Sequence, residues 1–113
     1  MLRPGQEMRN FTILHPEMIE NSIGREIINQ YQEIGKIRAI LAAARSEEVE
    51  RWRQLNHPIS HKIIMKGKPS FDIRAGDIFE YGGRRFYATA LPYEPGNIGH
   101  WTIFYCNERA DVL

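Results

Sequence analysis

The stretch that decides the fold is Ile78-Phe79-Glu80-Tyr81-Gly82-Gly83-Arg84-Arg85-Phe86-Tyr87. Two runs rich in aromatic residues flank a Gly-Gly pair. A two-residue hairpin turn of this kind needs positive φ at its central positions, which glycine adopts without a Cβ clash. The stretch therefore predicts an antiparallel hairpin, entered through the turn Arg74-Ala75-Gly76-Asp77, with its second strand running from Arg84 to Leu91. Upstream, Ile59, His61, Ile63 and Met65 fall on one face and Ser60, Lys62, Ile64 and Lys66 on the other, the two-residue period of a strand. Gly67-Lys68-Pro69-Ser70 reads as a loop. Downstream, residues 92–99 hold two prolines and two glycines and form a longer connection. His100 to Cys106 is the last strand, with Trp101, Ile103 and Tyr105 on one face. The second faces of the last two strands carry Tyr87, Thr89 and Leu91, and Thr102 and Phe104. They are uncharged, so a further layer is expected over the sheet, supplied by a helix or a neighbouring subunit.

Working back toward the N-terminus, Met8 to Leu14 alternates Phe11 and Ile13 with Asn10 and Thr12 and reads as a strand, which Pro16 is expected to end. Residues 15–30 read as an ordered loop or short ribbon. Ile34 to Ala44 is ambiguous by period. Ile34, Ile37, Leu41 and Ala44 fit a helical face, while Ile37, Ala39, Leu41 and Ala43 fit a strand face, with Gly35 marking a β-bulge. Ser46-Glu47-Glu48 predicts a helix start, with serine as the cap and two acids suited to the positive dipole end. Val49, Trp52 and Leu55 share one side and must dock, because so short a helix does not persist alone. Asn56-His57-Pro58 stops it. The fold class that follows is mainly β: a small antiparallel β-barrel or sandwich of five to six strands, one short helix over about residues 46–56, and long loops, in a single domain spanning residues 1–113.

The composition fits that picture. The 113 residues carry 15 Lys and Arg against 14 Asp and Glu, a formal net charge of +1. Domains that neutralise phosphates are usually strongly basic, so the balance argues against that task. The lone cysteine, Cys106, excludes an internal disulfide framework and a multi-cysteine zinc site. No apolar segment follows the opening residues as a secretory signal would, and the longest uncharged apolar stretch, Ile40 to Ala44, is far short of the ~20 residues of a membrane helix. A small intracellular globular domain is expected, with no membrane partner.

The residues that carry chemistry elsewhere form no constellation here. His57 and His61 are four apart, but Pro58 breaks the helix that would bring them together, and on a strand they stand ~13 Å apart. The expectation is a strand histidine with a hydrogen-bond partner at His61 and a helix-end residue at His57. His15 and His100 are expected at strand ends. Cys106 lies in an aromatic strand, where a buried thiol is inert. Glu47, Glu48 and Glu50 belong to the helix start and its solvated face, no serine sits in a nucleophile elbow, and Gly96-Asn97-Ile98-Gly99 lacks the lysine of a phosphate loop. No enzyme, no cofactor and no metal are therefore expected. A nucleic-acid barrel using Lys62, Lys66, Arg84, Phe86 and Tyr87 is the alternative, since rings stack bases beside cations. The interleaved acids Asp72, Asp77 and Glu80 weaken it.

The order of features resembles the head–tail joining, or head-closure, proteins of long-tailed bacteriophages and prophages. The motifs are the opening Leu2-Arg3-Pro4-Gly5 before Phe11-Thr12-Ile13 and Pro16, then Gly35-Lys36-Ile37-Arg38-Ala39, Ser46-Glu47 and Ser60-His61-Lys62-Ile63. They continue with the hairpin from Asp77 to Phe86 and the strand ending Cys106 to Glu108. Each is weak alone; their order and spacing over most of the chain carry the likeness, and the second of them favours strand over helix between residues 34 and 44. Residues 17–33 depart from the family's aromatic-rich segment, offering Asn21, Gly24 and Tyr31 instead.

The resemblance implies a structural virion protein, made in the bacterial cytoplasm. It assembles with itself as a ring below the portal and adaptor, closes the filled head and docks a tail completion or terminator protein. Genomic DNA passes through without being read. Loops and exposed side chains are then expected to carry the contacts. The candidates are the segment 17–33 with Tyr31, the helix with Arg51, Trp52 and Arg53, and the loop 92–99 with Tyr93 and Asn97.

Overall fold

The computed structural model describes residues 8–90, 93 and 100–109. The motif Leu2-Arg3-Pro4-Gly5, most of the loop 92–99 with Asn97, and Leu91 lie outside them. Six strands, β1 (Met8–Glu20), β2 (Glu26–Ala43), β3 (His61–Lys66), β4 (Ile78–Tyr81), β5 (Arg84–Ala88) and β6 (Trp101–Glu108), and one helix, α1 (Ser46–Gln54), make up the regular structure. Every strand pairing is antiparallel, and the order β1-β2-β3-β6-β5-β4 closes on itself through three residues, Thr12, Ile13 and Leu14 of β1, which lie opposite Glu80, Phe79 and Ile78 of β4. The expected small barrel is thus a closed six-stranded one, which leaves its own sheet no free edge.

The hairpin at the centre of the sequence forms as its glycines dictate. Tyr81 pairs with Arg84, and Gly82 and Gly83 both take positive φ, 56° and 79°. Alternation in each strand then sends one set of side chains inward. Phe11, Ile13, Ile37, Ala39, Ile63, Phe79, Phe86, Ala88, Phe104 and Cys106 fill the barrel, with Ile73 from the loop before β4. Their rings meet in tilted and edge-on pairs, Phe79 against Phe104 at 4.9 Å and Phe11 against Phe79 at 6.3 Å between centroids, arrangements that aromatic quadrupoles favour.

Three expectations need correction. Of the two forms expected for residues 15–30, the structure shows the ribbon and not the loop. Pro16 does not end its strand, and β1 and β2 continue as a two-stranded ribbon to Glu20 paired with Glu26. Past Leu14, β1 has β2 as its one strand partner, so Pro16 lies on an open edge, where a missing N–H removes no ladder bond. The bulge expected near Gly35 is present, since Ile13 faces Gly35 and Leu14 faces Glu33, leaving Ile34 unmatched. Gly35 itself is required by close approach, because a Cβ there would run into the ring of Phe71.

The helix starts at Ser46 as expected, but its cap lies one residue earlier and it stops earlier than expected. Arg45, not Ser46, is the N-cap, and its N–H donates to the Glu48 carboxylate at 3.0 Å. The helix ends at Gln54, Asn56 takes φ 60°, and Leu55 is left 57% exposed. The docking face is consequently Glu48, Val49 and Trp52. The Trp52 ring lies 4.9 Å from that of Tyr105 on the outside of β6, so α1 supplies the expected second layer there. Strand limits also shift: Ile59 precedes β3 as a buried residue, and β6 extends to Glu108.

Candidate functional site

The largest departure from a compact barrel is the outer half of the β1–β2 hairpin. The molecule measures 53 Å along its long axis and 31 and 29 Å across. At ~3.3 Å per residue, six or seven residue pairs beyond Leu14 account for that excess. The tip is a defined turn. The Asn21 side-chain oxygen accepts from the N–H groups of Ile23 and Arg25, both at 3.0 Å, and Gly24 takes φ 80°. Met18 faces Ile28 and Ile19 faces Ile27 across the strands. Since neighbouring pairs point to opposite faces, both faces of the tip are apolar. These four are 40–48% exposed, and Ile23 in the turn is 74% exposed.

The ribbon leaves the barrel through a polar clamp. Asp77 has no exposed surface. One of its oxygens accepts from His15 Nδ1 at 2.5 Å and the other from the Arg74 backbone N–H at 3.0 Å. The Arg74 guanidinium donates to His15 Nε2, also at 2.5 Å. The carboxylate thereby ties the middle of β1 to the loop before β4, at the level where the ribbon begins. His15, expected at a strand end with no acidic neighbour, lies within β1 beside a carboxylate 62 residues away in sequence.

The opposite end of the barrel is held by a second polar group. Ser60 Oγ accepts from the Glu108 N–H at 2.7 Å and lies 2.8 Å from His61 Nδ1. Arg84 donates twice to Glu108, at 2.6 and 2.9 Å. Burial pushes the His61 pKa down and Arg84 adds to that, while Glu108 opposes it; His61 is a neutral strand histidine with a hydrogen-bond partner, as expected. Burial likewise pushes the Cys106 thiol pKa up, so it holds its proton within the core. Among the described residues no three His, Cys, Asp or Glu side chains gather as metal ligands.

The structure does not gather the sequence-derived interface candidates into one patch. Tyr31 sits half-buried on the ribbon opposite Pro16. Arg51, Trp52 and Arg53 lie on α1: Arg51 and Arg53 are exposed, and Arg53 is paired with Glu50 at 2.6 Å. Trp52 packs inward, its Nε1–H buried and without a hydrogen-bond partner among the described residues. Tyr93, 52% exposed, exchanges backbone hydrogen bonds with Ile103 of β6, at 2.9 and 2.7 Å. Of the rings proposed for base stacking, Phe86 is wholly buried in the barrel. Of its partner cations, Lys62 is held by Glu48 at 3.0 Å and Arg84 by Glu108. The residues missed from sequence are the ribbon's Met18, Ile19, Ile23, Ile27 and Ile28. The signal was present, since four isoleucines within 10 residues are unusual for a solvated loop.

The architecture defined by these features is a closed six-stranded antiparallel barrel with one docked helix and a projecting ribbon. No family model matches the sequence, and no curated protein matches it. Solved structures share the fold nearly end to end. The solution structure of protein SF1141 from Shigella flexneri 2a has a TM-score of 0.70 at 14% identity, covering 97% of this chain and 99% of that one. A chain in the virion of a native gene transfer agent particle has a TM-score of 0.62 at 17% identity, covering 96% of this chain and 99% of that one. At these identities the likeness shows a shared fold.

Proposed function

We propose that this chain is a non-enzymatic structural virion protein of the head–tail junction. It forms a ring below the portal and adaptor, closes the DNA-filled head and offers its far side to a tail completion or terminator protein. The observation that carries this reading is the fold held in common, over 96% of this chain, with a chain of a virion particle. The ordered motifs from Gly35-Lys36-Ile37-Arg38-Ala39 to Cys106-Asn107-Glu108 support it independently. A net charge of +1 suits a channel that lets DNA slide without holding it. The apolar ribbon suits a protein completed by its neighbours, and repeating one contact around a closed ring multiplies a modest affinity.

The test is assembly. Mixed with its cognate portal–adaptor complex and filled heads, the protein is expected to sediment with them and to reduce DNA leakage. A protein that remains at the top of the gradient with both heads and tails contradicts the reading.

A further inference from the structure

Two complementary surfaces lie at one end of the barrel. The first is the ribbon: residues 17–33 carry Glu17, Glu20, Glu26 and Glu33 against the single cation Arg25, around the exposed Met18, Ile19, Ile23, Ile27 and Ile28. The rest of the chain is correspondingly basic. The second surface follows from strand direction. β2 is antiparallel to both β1 and β3, so β3 runs the same way as β1, and its last residue, Lys66, lies at the mouth from which the ribbon leaves. β6 starts at that mouth, with Trp101 opposite Lys66. There Lys66, Gly67, His100 and Trp101 line an open groove of about 410 Å³. Trp101 is 43% exposed in it, and the exposed Lys66 brings positive charge to its wall.

An acidic, apolar projection and a basic groove with an indole wall match in charge and in chemistry. The chain's own groove does not cover the ribbon, whose five apolar side chains remain 40–74% exposed. A contact between two different patches of this kind is heterologous and propagates until the ring closes.

We propose that the ribbon of one copy seats in the Lys66–Trp101 groove of the next copy. The idea rests on the ring reading above and deepens it by naming where the copies touch. The occupant is a second copy of this chain because the charge that the ribbon lacks is the charge the groove carries. Ile23 and the Met18–Ile28 pair lie over Trp101, and Glu20 and Glu26 lie against Lys66.

The test uses two preparations of the full chain. One carries a nitroxide on Ser22→Cys at the ribbon tip, with Cys106 left in the core; the other is ¹⁵N-labelled and carries no nitroxide. In the mixture, broadening of the labelled chain is intermolecular. The expected result is broadening centred on the amides of Lys66, Gly67, His100 and Trp101, weakened severalfold by raising the salt from 50 to about 500 mM. Glu20→Lys with Glu26→Lys is expected to weaken the contact at least tenfold, and Lys66→Glu in the labelled chain to restore part of it. Broadening centred on the ribbon itself, on α1, or nowhere at millimolar concentration overturns the proposal, provided the nitroxide chain keeps its amide spectrum. Co-sedimentation with heads alongside a failed broadening experiment removes this contact and leaves the head–tail reading standing; loss of both removes the ring.

Discussion

The inner and outer halves of the β1–β2 hairpin are alike in apolar content and opposite in environment. In the inner half, Phe11, Ile13, Ile37 and Ala39 are 0–6% exposed and packed against the other strands; in the outer half, Met18, Ile19, Ile27 and Ile28 are 40–48% exposed. Both halves are made by the same two strands, so backbone pairing does not separate them. What separates them is closure. From Thr12 to Leu14, β1 is paired on both sides and closes the barrel; beyond Leu14 the ribbon has no third strand among the described residues to roll it up. The lesson is that apolar residues in the inner half hold this chain together, whereas those in the outer half are available to another one.

The contrast is broken most severely from the inside. Phe11→Ala removes a wholly buried ring that meets Phe79, Tyr81 and Phe86. It is expected to cost about 3–5 kcal/mol, read as a lower urea midpoint with unchanged slope. Next is the clamp at the junction of the two halves. Asp77→Ala leaves His15 and the Arg74 N–H without their acceptor, an expected loss of about 1–3 kcal/mol. Hydrogen exchange should rise first in the β1 amides around His15 and in the ribbon. If exchange rises uniformly through the barrel, the clamp is not a local hinge point.

A smaller effect follows from Glu48 beneath α1. Burial alone would raise its pKa, but the Arg45 N–H and the Lys62 ammonium outweigh that and hold the carboxyl below its usual 4.5. A carboxylate with a lowered folded-state pKa stabilises the fold above the unfolded value, and the gain disappears as pH falls through the folded value. Glu48→Gln is therefore expected to cost about 1 kcal/mol at pH 7 and progressively less below pH 4.5. Chemical denaturation at pH 7 and pH 3 measures the difference; an equal loss at both contradicts the assignment. The smallest effect belongs to the tip. Ile23→Ser, or Ile19→Ser with Ile27→Ser, is expected to change the stability of the isolated chain by no more than about 0.5 kcal/mol, despite removing large apolar side chains.

The same division governs how much was legible in the sequence. The Gly82-Gly83 hairpin and the alternating strand around Ile63 were readable because turn chemistry and a two-residue period both pointed one way. The segment 15–30 was readable only as a loop or a short ribbon, for identifiable reasons. Pro16 carries a stop signal that an open strand edge overrides, and unmatched residues at Asn29 and Ile34 interrupt the alternation of β2. The turn at Asn21–Arg25 is also longer than the two-residue form that sequence announces most clearly. The ambiguity from Ile34 to Ala44 was real, because helix and strand periods both fit there; it was resolved by pairing with β1 and β3, which no local pattern contains. The helix cap and end failed by a residue or two because the Glu48 carboxylate accepts from the Arg45 N–H, moving the cap back, and Leu55 falls past the last turn. The His15–Asp77 clamp joins positions 62 apart, so spacing carried no trace of it.

The central claim is that the barrel stabilises the chain and the ribbon joins it to its assembly. The most direct measurement is incorporation into heads of the Met18→Ser and Ile28→Ser double variant, beside wild type, with the unfolding midpoint of each recorded. The account predicts a wild-type midpoint with at least a tenfold loss of incorporation. Incorporation at the wild-type level by an equally stable variant would contradict it.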